Sequence, residues 1–229
     1  MPFHIAIDGP VAAGKGTVAR LVAEKLDFNY IDTGAMYRLV AYIAKKNHLK
    51  FTDEKALLPL VKKADMDIKN PTPEEKDGRL ATIILDGKDL SWAIRTQAMS
   101  SGASQVAQLA EIRHVLVEKQ QEIAKGKDVV MEGRDITYRV LPQANLKIFL
   151  TASDIVRAKR RHQQLLSKGE DADFEDVYKA LIERDRRDME RSVDPLQIVD
   201  DAWVIDTSDL SIEKVVAAVT SKVEVMRGK

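Results

Sequence analysis

Gly9-Pro10-Val11-Ala12-Ala13-Gly14-Lys15-Gly16-Thr17 lies between the apolar run Ile5 to Ile7, closed by Asp8, and the periodic residues Val18, Leu21, Val22 and Leu26. The run has the length of a buried strand, and apolar recurrence at i, i+3, i+4 and i+8 predicts a helix over Val18 to Leu26. Four residues separate Gly9 from Gly14-Lys15, the spacing of a phosphate-binding P-loop. Glycines let backbone N–H groups turn toward phosphate oxygens, the helix N-terminus adds positive potential, and Lys15 reaches the terminal phosphates as a mobile charge. The hydroxyl that usually follows the lysine is missing at Gly16 and arrives at Thr17. A side chain at 16 therefore cannot ligate magnesium, which phosphate oxygens and water would have to hold.

Outward from this loop, apolar runs recur at Phe28 to Ile31, Val129 to Met131, Leu146 to Leu150 and Val204 to Ile205. Helical stripes lie between and after them, the last one through Ile212, Val215, Val216, Val219 and Val223 behind a cap at Ser211. Strands alternating with helices predict an α/β fold of the P-loop NTPase type, a parallel sheet with helices on both faces. Two stretches break the rhythm. Residues 51 to 103 carry Asn70-Pro71-Thr72-Pro73, Asp77-Gly78 and Asp86-Gly87 around short runs such as Ala81 to Leu85, which predicts a small antiparallel insert. Residues 153 to 173 are polar and basic, as expected of a surface excursion.

The whole chain of 229 residues balances 36 Lys and Arg against 36 Asp and Glu, and 45% of it is hydrophobic. That composition excludes disorder and any general attraction to nucleic acid or anionic membrane. The absence of cysteine excludes disulfides, thiolate zinc sites and a cysteine nucleophile. His4, His48, His114 and His162 lack metal-ligand spacing, so no protein-bound metal is expected. No apolar stretch approaches the ~20 residues of a membrane span, and the first residues do not resemble an export signal. A reducing cytoplasm is the expected location.

Charge clustering is local. Ile155 to Gly169 carries Arg157, Lys159, Arg160, Arg161 and Lys168 without an acid, and Arg157, Arg160 and Arg161 share a helix face. A mobile lid closing on ATP phosphates accounts for that imbalance, and a solvated basic face or an RNA footprint are its alternatives. In Glu183 to Arg191 the signs alternate, yet Arg184, Asp188 and Arg191 share one face. Glu132-Gly133-Arg134-Asp135 follows one buried strand and Asp32-Thr33-Gly34-Ala35-Met36-Tyr37-Arg38 another, where open α/β sheets bind ligands. Arg38 suits bidentate capture of a phosphate, and Thr33 adds a hydroxyl.

These motifs, with Ile94-Arg95-Thr96 and Ser104-Gln105-Val106-Ala107, together resemble the bacterial cytidylate kinases over nearly the whole chain. The Gly-Lys-Gly-Thr loop after Gly9-Pro10 is itself similar to nucleoside-monophosphate kinases. The resemblance implies ATP-dependent phosphorylation of CMP and dCMP by a monomer, with no nucleic-acid or membrane partner. It implies that Ser104, Arg113 and Asp135 contact the cytosine ring, that Arg38, Arg134 and Arg191 hold the acceptor phosphate, and that Arg184 and Asp188 hold the sugar. Thr33 and Tyr37 complete the acceptor site. Gly9 to Thr17 and Arg157 would hold ATP, with Lys15, Arg134, Arg160, Arg161 and Arg191 stabilising the moving charge. The implied layout is a core at 1–36, an acceptor-binding insert at 37–103, core at 104–152, a short helical lid at 153–173 and core at 174–229.

The chain departs from the family pattern twice. The family continues Gly-Arg-Asp with a hydrophobic residue and then Gly-Thr, whereas here Ile136-Thr137-Tyr138-Arg139-Val140-Leu141-Pro142 follows. If that glycine served a positive φ, the loop takes another shape and Arg134 and Asp135 shift. Val11-Ala12 replaces the smaller residues common in the P-loop, with altered affinity as the expected consequence. Rival readings are a kinase of another small acceptor, such as UMP or shikimate, and a nucleotide-gated RNA-binding protein.

Overall fold

The apolar run before the P-loop becomes the middle strand of the molecule. In this computed structural model, which describes every residue except Lys76, Lys168 and Lys229, it forms β1 (His4–Asp8), with Ile5, Ala6 and Ile7 wholly buried. Lys168 of the basic segment thus lies outside the described residues. The chain continues through α1 (Lys15–Leu26), β2 (Asn29–Asp32), α2 (Thr33–Lys46), α3 (Glu54–Lys63), β3 (Met66–Lys69), β4 (Thr82–Leu85), β5 (Lys88–Asp89) and α4 (Gln97–Val106). It closes with α5 (Ala110–Ala124), β6 (Val129–Gly133), β7 (Leu146–Thr151), α6 (Asp154–Leu166), α7 (Phe174–Glu190), β8 (Trp203–Asp206) and α8 (Ile212–Met226).

Five strands form a parallel sheet in the order β2-β6-β1-β7-β8. Helices cover both of its faces, which is why its strands read as continuous apolar runs. On one side α1 packs against α8, burying Val18 and Val22 with Val215, Val219 and Val223. The Ser211 hydroxyl accepts the Lys214 N–H at 3.4 Å and starts α8 where the sequence placed its cap. The strand order reverses at β1, since β6 and β2 lie to one side of it and β7 and β8 to the other. In register, Asp8 pairs with Gly133 and Phe149, and Asp32 with Glu132, so the loops after β1, β2 and β6 open at one edge of the sheet. That edge is where open α/β sheets take ligands.

The insert contains the expected antiparallel sheet, β3-β4-β5. Asp86-Gly87 makes its tight hairpin with φ of 49° and 75°, both positive, as a two-residue turn requires. Residues 51 to 103 also hold α3 and most of α4, which the antiparallel reading passed over although Asp53 and Thr96 cap them. The expected boundaries at 36/37 and 103/104 fall inside α2 and α4. Asn70 ties the insert to the sheet: its side chain accepts the Tyr30 N–H at 2.9 Å and donates to the Phe28 carbonyl at 2.9 Å, standing in for a neighbouring strand. Among the described residues no helix is long and apolar enough to cross a membrane.

Candidate active site

The loop after β1 leaves the sheet at a tight crossing. A Cβ on Gly9 would lie 2.0 Å from the Leu150 carbonyl oxygen, so only glycine passes β7 here. The chain then turns into α1, whose first residue, Lys15, folds its ammonium back to donate to the Pro10 carbonyl at 2.8 Å. Burial, reinforced by the Arg134 charge, pushes the Lys15 pKa down to about 7, so the ammonium is held where it lacks an anionic partner. The glycine after it has a packing reason. A Cβ on Gly16 would meet the Glu132 carboxylate at 3.1 Å and the Tyr30 hydroxyl at 3.2 Å, groups that themselves hydrogen-bond at 3.2 Å. A carboxylate and a phenol thus occupy the space of the usual serine or threonine. Burial and the nearby Asp32 charge raise the Glu132 pKa.

Beside the loop opens a cleft of about 370 Å³ that brings together all of the expected acceptor residues: Thr33, Tyr37, Arg38, Ser104, Arg113, Arg134, Asp135, Arg184, Asp188 and Arg191. They come from four helices, the residue just past α7 and the turn after β6. Asp32 caps α2 by accepting the Ala35 N–H at 3.1 Å, and its other oxygen receives Arg38 at 2.6 Å and Arg95 at 3.3 Å. Burial alone would raise its pKa, but the two arginines hold it below the usual carboxylate value. Arg134 donates to Asp188 at 2.9 Å. At the closed end, wholly buried Arg113 pairs with Asp135, donates to Asp194 at 3.2 Å and lies 5.5 Å from the Tyr37 ring centre. Arg191 grips the Asp194 carbonyl and stands 3.9 Å from Asp135. Thr33 turns its hydroxyl to the Glu132 carbonyl at 2.8 Å.

Cations outnumber their partners along this cleft. The Arg184 guanidinium sits among Arg134, Arg38 and Arg161, and burial together with those charges pushes its pKa down to about 10. Its Nε, the Arg38 Nε, the Ser104 Oγ and the Tyr37 hydroxyl are all buried without a hydrogen-bond partner. Buried polar atoms are rarely left unpaired, so an array of orphans on one cleft points to a polar, anionic ligand.

The departure after Asp135 has a structural answer. Residues Ile136–Val140 form a π-helical turn, and Thr137 is not among the positive-φ residues. The Asp8 carboxylate receives the Ile136 N–H at 2.9 Å, the Thr137 N–H at 2.8 Å and the Thr137 hydroxyl at 2.7 Å. Asp8 is completely buried, and that burial pushes its pKa up to about 6. Tyr138 donates to the Pro195 carbonyl at 2.6 Å. The new residues therefore bolt the turn to β1 and to the 191–196 loop, and Arg134 and Asp135 remain in the cleft wall.

The α6 arginines separate. Arg161 faces the cleft and reaches Gln97 at 3.0 Å. Arg160 borders a second cavity of about 420 Å³ on the other side of the P-loop and donates to Thr207 at 3.0 and 2.7 Å. Arg157 borders neither cavity among its described lining residues. It is buried, pairs with Asp154 and Asp185 and donates to the Val11 carbonyl at 2.9 Å, so its guanidinium is turned to the loop backbone and to acids rather than into either cavity. Arg157 is thus turned inward while Arg160 and Arg161 border different cavities, so the three arginines do not share one exposed face.

The sequence model of the cytidylate kinase family matches residues 5–225. The chain belongs to the cytidylate kinase family. It is 44% identical to the cytidylate kinase of Lactobacillus gasseri over 97% of this chain and 94% of that protein. It shares 44% identity with that of Bacillus subtilis, covering 97% and 96% respectively. The Carboxydothermus hydrogenoformans cytidylate kinase is 44% identical over 94% of each chain. Among solved structures, an uncharacterized protein from Eubacterium ventriosum has the same fold, with a TM-score of 0.54, 10% identity and 97% and 98% coverage.

Several residues of this cytidylate kinase chain escaped the sequence reading. Asp8, Asp32, Arg95, Glu132, Asp185 and Asp194 all hold or border the cleft machinery, yet none was given a role. Asp8, Asp32 and Glu132 share one signal, an acid in the last positions of a strand entering the ligand edge. Asp185 and Asp194 had none, because their partners are distant in the chain.

Proposed function

We propose that the protein transfers the γ-phosphoryl group of ATP to the phosphate of CMP or dCMP, releasing ADP and CDP or dCDP. The observation that carries this reading is the array of buried, unpartnered donors beside the P-loop, on Arg184, Arg38 and Ser104. ATP lies along Gly9 to Thr17 with Lys15 at its terminal phosphates, and the Arg160 cavity receives the rest of the nucleotide. Arg38, Arg134 and Arg191 hold the acceptor phosphate, Arg184 and Asp188 the sugar, and Thr33 and Tyr37 line the same site. Asp135 accepts from the cytosine amine and Arg113 faces the ring acceptors, with Ser104 as a third contact. Uracil presents a carbonyl where cytosine presents the amine, so a carboxylate there discriminates between them.

The acceptor phosphate is already anionic, so no general base is needed, and the work is positioning and charge neutralisation. Lys15, Arg134, Arg161 and Arg191 supply that neutralisation, with Arg160 steadying the lid side. Magnesium supplies further neutralisation when bound with ATP. Glu132, the carboxylate that lines the cleft beside Gly16, fits contact through water better than direct ligation, since it already bonds Tyr30. Residues 37–103 serve as the acceptor-binding insert and 153–173 as the lid, in a cytoplasmic monomer without nucleic-acid or membrane partners. The test is ADP release with CMP, dCMP, UMP and AMP, run with Lys15→Ala as control. Fast turnover of CMP and dCMP that disappears in the variant supports the reading. ATP binding without turnover of any monophosphate overturns it.

A further inference from the structure

The apex of the P-loop is held from behind by an ion pair that lines neither cavity. The Val11 N–H donates to one Asp185 oxygen at 3.1 Å, and the Val11 carbonyl accepts Arg157 Nη1 at 2.9 Å. The same Arg157 nitrogen pairs with the other Asp185 oxygen, so acid and base close a ring around a single peptide residue. Both side chains are almost fully buried. Arg157 is itself fixed, by the Ala152 carbonyl at 3.1 Å and by Asp154.

The next residue shows why the apex needs holding. Ala12 has a φ of 58°, in the left-handed region that an L side chain seldom enters. An alanine there relaxes away unless its surroundings impose the conformation. With both polar groups of Val11 engaged, the peptide planes leading into Ala12 cannot rotate. Asp185 also stands on α7 between Arg184 and Asp188, both of which line the cleft. The apex of the P-loop and the acceptor wall are therefore joined through one carboxylate.

We propose that Asp185, with Arg157, is a positioning residue that imposes the ATP-binding shape of the P-loop and couples it to the acceptor-holding helix. The proposal rests on the P-loop being the ATP site. It assigns Arg157 to the loop backbone and not to a phosphate. Because the clasp works through the Val11–Ala12 backbone, its loss falls on donor-nucleotide affinity, and a residue free to adopt positive φ at position 12 compensates for it.

The experiment measures binding of ADP and, separately, of CMP by calorimetry, with thermal melting of the same samples, for the parent, Asp185→Ala, Asp185→Asn and Asp185→Ala with Ala12→Gly. Asp185→Ala is expected to weaken ADP at least tenfold on the scale of a lost charged hydrogen bond, while CMP affinity changes less than about threefold on the same scale. The KM for ATP rises, with kcat at saturation little changed. Asp185→Asn keeps an acceptor for the Val11 N–H and falls between, and it carries the test alone if the alanine variant does not fold. Adding Ala12→Gly restores part of the ADP affinity, which a role in global stability alone does not produce. Unaltered ADP affinity in a folded variant overturns the proposal, as does a parallel fall of ADP affinity, CMP affinity and melting temperature that Ala12→Gly leaves uncorrected. If the unmodified protein fails to bind ADP, the ATP reading itself fails, and that is seen before any variant is compared.

Discussion

The two ends of the cleft are built on opposite principles. At the P-loop end the arginines are spent inside the protein: Arg157 on Val11 and Asp185, Arg160 on Thr207. Within the loop the surface left for a ligand is mostly backbone and one lysine, with Arg160 bordering the cavity beside it. At the acceptor end the cations are under-paired: Arg38 and Arg95 share Asp32, Arg184 has an orphan Nε, and Arg113 and Arg191 crowd around Asp135 and Asp194. At one end every arginine is engaged before any nucleotide arrives and only Lys15 waits for an anion, while at the other a whole array of cations stays under-paired until an anion enters. A rigid cradle suits a phosphate chain shared by many nucleotides, while an incomplete, buried array makes recognition of a particular acceptor contingent on its whole shape.

Substitutions that move charge at each end sharpen this contrast. The largest effect is expected of Lys15→Met, which removes the only cationic side chain within the P-loop. Turnover should fall by ~10³-fold or more with CMP affinity within a few-fold, measured by single-turnover transfer and equilibrium binding. A comparable loss of CMP affinity would erase the distinction between the ends. Next comes Arg113→Met, which takes the closest partner from buried Asp135 and should cost about 3–5 kcal/mol of unfolding free energy, read from denaturant melts. Arg184→Gln should do the reverse for stability. It removes a cation whose surroundings already repel it, so the apo protein melts no lower, while the KM for CMP rises about ten- to a hundredfold, the worth of one or two charged hydrogen bonds. A destabilised Arg184→Gln protein would mean that the acceptor end is not under-paired.

The smallest effect concerns the bolt beneath both ends. Asp8 has a folded pKa of about 6 against an ordinary 3.8, so folding favours its protonated form. Its contribution to stability is complete below about pH 4 and is lost as pH rises through about 6. The stability of the parent relative to Asp8→Asn should therefore fall by on the order of 1–3 kcal/mol between pH 4 and pH 7, in urea melts at matched ionic strength. A difference that stays flat across that range would contradict the buried environment of Asp8.

Legibility followed distance along the chain. The strand–loop–helix around Gly9 to Thr17, the cap at Ser211 and the alternation of strands and helices are local patterns, and the structure contains each of them. Arg38 and Arg134 were legible from their places just after strands, and Arg184, Asp188 and Arg191 from a shared helix face, whereas Ser104, Arg113 and the division of roles within the cleft were legible only through resemblance to a family. Arg157 shows the limit. Its helix face looked unpartnered because Ile155 to Gly169 holds no acid, but its partners are Asp154, just outside that window, and Asp185 on the next helix. Similarly, the consequence of Thr137 depended on Asp8, more than a hundred residues earlier in the chain. Alternating signs in Glu183 to Arg191 were half informative. Arg186 and Arg187 do pair with Glu183 and Glu190 on the exposed side, while Arg184, Asp185 and Asp188 turn inward.

On the proposed reading, the end of the cleft at Arg113 and Asp135 reads the base while the P-loop end is indifferent to it. The most direct measurement is the ratio of kcat/KM for CMP over UMP in the parent and in folded Asp135→Asn, at fixed ATP. A ratio of about a hundredfold or more in the parent, collapsing toward unity in the variant with the KM for ATP unchanged, is the expected result. An unchanged ratio in the variant, or equal use of CMP and UMP by the parent, would contradict it.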